Sequence, residues 1–186
     1  MSDSDFSFDL ELWLNQDLIK RQNRLKSAFL VLLEDLANSF SNESLDQIHS
    51  TSKGKKISKG NDLLGFPYQV LDLIRDFDGE TGLNIRVLNW FGNGLFLLVY
   101  QGVNSKLPRK DLLGNGFAFS LTESPWDYPE LILNQSFSKK IKEWHLVRSH
   151  PIVWFKKLQV LEKPESTLHI LHSEIGNLLE ILKFSN

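Results

Sequence analysis

The sequence predicts an α+β fold, an antiparallel sheet of about five strands packed against N- and C-terminal helices. Three observations carry this. Apolar residues recur at helical spacing towards both ends of the 186-residue chain. The middle instead holds short apolar runs separated by glycine and asparagine, the punctuation of strands and tight turns. With 41% hydrophobic and 24% charged residues the composition is globular, and a chain this long buries a core without a metal or disulfide staple. One domain is expected over 1–186. It divides into a helical part (1–49), a mobile basic loop (50–62), a sheet region with one helix (63–162) and a closing helix (163–186).

In the first helix Leu18, Leu25, Phe29, Leu32, Leu33, Leu36 and Phe40 form one apolar stripe, with Arg21, Arg24, Lys26, Glu34 and Asp35 between them. Asn15 suits the N-cap, and Asp17 suits the positive end of the helix dipole. "NSFSNES" (38–44) ends the helix. "STSKGKKISKGND" (50–62) is polar and basic, a loop with room for a short edge strand at Ile57. It is not a phosphate-binding loop. Five residues separate Gly54 from Gly60, and Asn61 stands where lysine is required.

"NIRVLNWF" (84–91) and "GLFLLVYQ" (94–101) flank Gly92-Asn93, the composition of a tight hairpin. The second of these runs is apolar on both faces, so both faces should be covered. "NGFAFSLT" (115–122) reads as a third strand, and "ESPWDYPE" (123–130) as an aromatic loop bracketed by prolines. In "SFSKKIKEWHLV" (136–147) the spacing of Phe137, Ile141 and Trp144 predicts a helix, stopped by Pro151. "IVWFKKLQVL" (152–161) is a further strand. Pro164 then opens a C-terminal helix with Leu168, Leu171, Ile175, Leu178 and Leu182 on one face.

"GFPYQVLDLIRDFDGETG" (65–82) supports two readings. As a helix it starts at Pro67 and stops at Gly79, with Arg75 beside Asp72 at i,i+3. As a strand, Tyr68, Val70 and Ile74 share a face with Asp72, while Leu71, Leu73 and Arg75 take the other. Asp72 then needs a partner, because burying a lone carboxylate is costly. The acidic tail from Asp76 to Glu80 is expected to be a solvated turn.

Taken together, "LGFPYQVLDLIRDF", "NIRVLNWFGNGLFLLVYQG" and "SLTESPW" resemble a family of uncharacterised bacterial proteins. Its pattern is G-[LF]-P-Y-x-x-L-D with an arginine soon after, then I-R-x-x-x-W-x-G-N, then E-x-x-W. The matching positions are Gly65, Pro67, Tyr68, Leu71, Asp72, Arg75, Ile85, Arg86, Trp90, Gly92, Asn93, Glu123 and Trp126, spread over the middle third of the chain. Members often carry a proline where this chain has Ile74, and proline disfavours helix in the residue before it. The resemblance thus implies an extended segment, with Arg86 as the partner of Asp72. It implies no activity.

The chain has no cysteine, which excludes disulfides, thiolate metal sites and cysteine nucleophiles. "MSDSDFSFDLELW" is acidic and lacks the uninterrupted apolar run of a secretory signal, so a cytoplasmic location without a membrane span is expected. Neither G-x-S-x-G nor H-E-x-x-H occurs. His169 and His172 lie one helical turn apart and "DFDGETG" clusters acidic oxygens, but the first fits an ordinary helix face and the second breaks EF-hand spacing. No cofactor and no metal are expected. The net charge of −2 hides six basic residues against Glu143 alone over 139–157, interleaved with Trp144 and Trp154. A helix followed by a strand explains that pattern, so nucleic acid is a disfavoured partner.

The candidate binding residues are Tyr68, Asp72, Arg75, Arg86, Trp90, Asn93 and Trp126, polar and aromatic side chains within the apolar block. The leading expectation is a non-enzymatic binding or protein-interaction module for a small molecule or protein, with a homo-oligomer through the helices as one form. The alternative is a small hydrolase-like or acid–base enzyme around Asp72, Arg75, Arg86 and Trp90.

Overall fold

The structure, a computed structural model, describes residues 7–183. The acidic start of the chain therefore lies partly outside the described residues. A short helix α1 (Leu10–Leu14) leads through Asn15 into the long helix α2 (Gln16–Asn38), and α3 (Asn42–Asp46) follows. Asn15 closes α1 and caps α2, its Oδ1 accepting from the Leu18 N–H at 3.0 Å. At the other end of α2, the Lys55 ammonium donates to the carbonyls of Ala37 and Phe40 at 2.9 and 2.8 Å, a cation where the helix dipole is negative.

Four strands then run as a meander: β1 (Lys56–Leu63), β2 (Phe66–Arg75), β3 (Leu83–Trp90) and β4 (Gly94–Gln101). After it come α4 (Arg109–Gly114), β5 (Ala118–Ser120), α5 (Tyr128–Leu133), β6 (Phe137–Ser138), a 3₁₀ turn (Ile141–Leu146), β7 (Ile152–Leu158) and α6 (Pro164–Lys183). All pairings are antiparallel, in the order β1-β2-β3-β4-β7-β5-β6, so β7 returns to lie beside β4.

The class is the expected α+β, with seven strands among the described residues rather than about five. One sheet face, carrying Leu71, Ile85, Leu97, Val99 and Trp154, packs with the second half of α2 and with α6. The other, carrying Val70, Leu88, Trp90, Leu98 and Tyr100, is covered by Tyr128 and Leu131 of α5. The two-sided apolar character of β4 is thereby accounted for.

The hairpin is where glycine placed it. Gly92 and Gly94 take φ of +83° and +130°, while Asn93 is not left-handed; its backbone N–H donates to the Trp90 carbonyl at 2.9 Å. The segment 66–75 is a strand. The loop expected over 50–62 ends at Lys55, because Ile57 packs on the core and β1 pairs with β2. Gly60 there lies under the Tyr68 ring, which a Cβ would overlap. Only residues 118–120 of the third expected strand pair in the sheet.

The helix expected over 136–147 is absent. Phe137 is taken by the sheet opposite Ser120, and the Ser138 hydroxyl accepts from the Lys140 N–H and donates to Glu143. What remains is a 3₁₀ turn that presses Trp144 onto Trp154, so tertiary pairing overrides an apolar spacing that mimics a helix. The stripe on α2 is also only half buried. Its buried residues begin at Leu32, and α1 has none.

Candidate functional site

The strand reading of β2 needs one amendment, and it positions the site. Asp72 pairs with Arg86 and Ile74 with Ile85, so β2 carries one extra residue, Leu73, at a bulge. The bulge turns Ile74 into the helix-facing core with Leu71 and Leu73, not onto the Asp72 face as simple alternation requires. Asn84 stitches it. Its amide donates to the Ile74 carbonyl at 2.7 Å and to Asp72 Oδ1 at 2.8 Å.

Asp72 and Arg86 form a bidentate pair: Arg86 Nε to Oδ1 at 2.7 Å and Nη2 to Oδ2 at 3.1 Å. Their side chains are 4% and 15% exposed. Arg86 Nη1 donates to the Tyr128 hydroxyl at 2.9 Å. Burial by itself pulls the guanidinium down, but hydrogen bonding to Asp72, the neighbouring Tyr128 and the Asp72 charge outweigh it, so its pKa is raised. Burial pushes the Tyr128 phenol up, only partly offset by Arg86.

Aromatic rings roof the pair. Trp126 stacks on Tyr100 with centroids 5.4 Å apart and meets Phe77 edge-on at 5.2 Å. The Arg86 guanidinium lies 5.6 Å from the Phe77 centroid and 5.8 Å from that of Trp126. Both carboxylate oxygens of Asp72 accept hydrogen bonds, and through Arg86 the pair links β2, β3 and α5.

The remaining candidates lie elsewhere. Tyr68 and Trp90 face each other across β2 and β3, four residues from Asp72, or about 13 Å along a strand. Trp90 is fully buried, with its indole N–H on the Leu63 carbonyl at 3.1 Å. Asn93 sits in the hairpin turn. Arg75 donates from Nη2 to the Lys53 carbonyl at 3.0 Å. The structure thus gathers Asp72, Arg86 and Trp126, and separates them from Tyr68, Trp90, Asn93 and Arg75.

Sequence reasoning missed Asn84, Phe77, Tyr100 and Tyr128 as members of the cluster. Asn84 was findable, two residues before Arg86 and so on the same strand face. Tyr100 lies on β4 opposite Asn84, while Phe77 follows β2 and Tyr128 opens α5, and no local pattern signals those two.

The acidic tail is more ordered than a solvated turn. Asp78 Oδ1 accepts from the backbone N–H of Glu80 and Thr81 and from the Thr81 hydroxyl, at 2.7–3.1 Å. These bonds hold its carboxyl below the usual range. Asp76 Oδ2 receives His49 Nε2 at 2.7 Å and the Thr51 hydroxyl at 3.0 Å. Thr51 and Asp76 meet the same ring nitrogen, so this is not the relay of a hydrolase triad, which uses both nitrogens.

Among the described residues no group of three or more His, Cys, Asp or Glu side chains is placed to hold a metal ion. His172 stacks on Phe40 with centroids 4.9 Å apart. No helix among the described residues is long and apolar enough to cross a membrane. No family model, curated protein or solved structure matches the chain.

Proposed function

We propose that the chain is a non-enzymatic protein-interaction module of the cytoplasm that works through its N-terminal helical arm and needs no cofactor. One observation carries the reading. Leu10, Leu12, Trp13, Leu14, Ile19 and Leu25 are 42–69% exposed along α1 and the first half of α2. Taking a fully exposed large apolar side chain as about 150–250 Å², these six present roughly 650 Å² of apolar surface. That sum is of the order of the largest apolar patches on monomers, and surface of this kind is covered in use.

The internal polar groups support the same reading. Asp72, Arg86, Asn84 and Tyr128 satisfy one another, as a structural network does. The basic segment gives little purchase to nucleic acid. Trp144 is stacked by the Arg109 guanidinium 4.0 Å from its ring centroid and by Trp154 at 5.5 Å, which leaves neither face for a base. Lys156 is held by Glu174 at 2.6 Å.

The test is a photo-crosslinking amino acid in place of Trp13, with exposed Lys142 as the control position, irradiated in cells that express the protein. A discrete protein adduct at position 13 and none at 142 is expected. Equal, diffuse labelling at both positions would overturn the reading.

A further inference from the structure

The occupant of the arm is a second copy of this chain. We infer that two arms pair antiparallel about a two-fold axis, each laying α1 and the start of α2 along the other's α2. This rests on the interaction-module reading above and names its partner.

Charge order along the arm points to this occupant. Asp9, Glu11 and Asp17 come first. Lys20, Arg21, Arg24 and Lys26 follow, with no acidic residue from 18 to 33. Side by side in parallel, two such arms set acid on acid and base on base. Antiparallel, the acidic start of each meets the basic stretch of the other, and one two-fold operation satisfies both ends. Within a single copy Asp9 caps α1, accepting from the Leu12 N–H at 2.8 Å, but Asp17 and Arg21 approach only to 3.7 Å, with both side chains mostly exposed.

Area and shape agree. Burying all six side chains on both copies would remove at most about 1,300 Å² together, at the low end of a specific interface. A groove of about 380 Å³ runs beside Leu25, Phe29 and Leu32 and is closed on its far side by Val160, Leu161 and Pro164. It is an apolar receptacle next to the basic stretch, where antiparallel pairing delivers Leu10 of the other copy. The arm also needs support. α1 is five residues long with none buried, and helices so short are marginal in water without packing.

Sedimentation of the full chain tests this, with Trp13→Asp as the variant. Trp13 is not buried, so the variant should keep the thermal midpoint of the β-sheet body. The expected result is a dimer at micromolar concentration whose association Trp13→Asp weakens by at least about tenfold. Orientation is read by disulfide mapping in this cysteine-free chain. Leu10→Cys mixed with Leu25→Cys should cross-link between copies faster than either does with itself.

A dimer indifferent to Trp13→Asp would overturn the inference, as would faster self-linking of each single cysteine. A monomer at every concentration would also overturn it. In that last case an adduct at position 13 with a different protein leaves the module reading standing. No adduct at all removes both.

Discussion

Replacing Asp72 by Asn isolates the buried pair with the smallest change of shape. Three donors converge on this carboxylate: Asn84 Nδ2 and Arg86 Nε on Oδ1, and Arg86 Nη2 on Oδ2. An asparagine keeps one acceptor oxygen and turns an NH₂ towards the remaining donors. The mostly buried Arg86 guanidinium then lacks its counter-charge and loses one of its two bonds to residue 72, while Tyr128 still accepts from it. Removing one partner of a buried pair costs about 3–5 kcal/mol, and the retained acceptor places this variant near the lower figure, about 3 kcal/mol. For a chain of this size that lowers the melting temperature by about 6–12 °C.

Calorimetry at neutral pH, with urea unfolding to confirm an unchanged m-value, is the assay. Asp72→Leu combined with Arg86→Met should recover much of the loss, because it leaves no charge uncompensated. A melting temperature for Asp72→Asn within about 2 °C of the wild type would refute the reasoning, since a site worth so little is not a buried anchor.

Three further predictions concern the rest of the fold. Burial alone raises Asp76, but hydrogen bonds from His49, the Asp78 backbone N–H and Thr51 hold its pKa below the ordinary 3.8. Its contribution is therefore complete above that value and is lost as pH falls through the lower folded value, and Asp76→Asn should flatten the acid limb of a stability–pH curve. Gly102→Ala should destabilise by about 1–3 kcal/mol in urea melts, because its Cβ would press on the backbone of Glu80 and Gly82. Lys55→Met removes the ammonium that bonds the Ala37 and Phe40 carbonyls at the end of α2 and should cost about 1 kcal/mol, with faster amide exchange confined to the last turn of the helix.

What could be read from the sequence was local and periodic. Gly92-Asn93 between two apolar runs gave the hairpin, and the stripe Leu171, Ile175, Leu178 and Leu182 gave α6, because in both the side chains that pattern the segment also bury it. The Asp72–Arg86 pairing follows from an extended 66–75, which propensity and punctuation by themselves do not favour over a helix.

The failures have physical causes. A bulge at Leu73 has no composition signal, yet it decides which face Ile74 occupies. Residues 136–147 carry helical spacing that the sheet and the Trp154 ring override. Trp126 was visible as a candidate, but its neighbours Phe77 and Tyr100 come from a turn and a strand far along the chain. The half-buried stripe of α2 was legible as apolar. Which half the body covers depends on where the sheet ends.

Amide exchange over residues 16–25 at rising protein concentration tests the arm's role most directly. The account predicts that protection there climbs with concentration and falls away in Trp13→Asp, while residues 32–38, packed on the core, stay protected throughout. Exchange over 16–25 that is fast and independent of concentration, in purified protein and in cell extract alike, would contradict it.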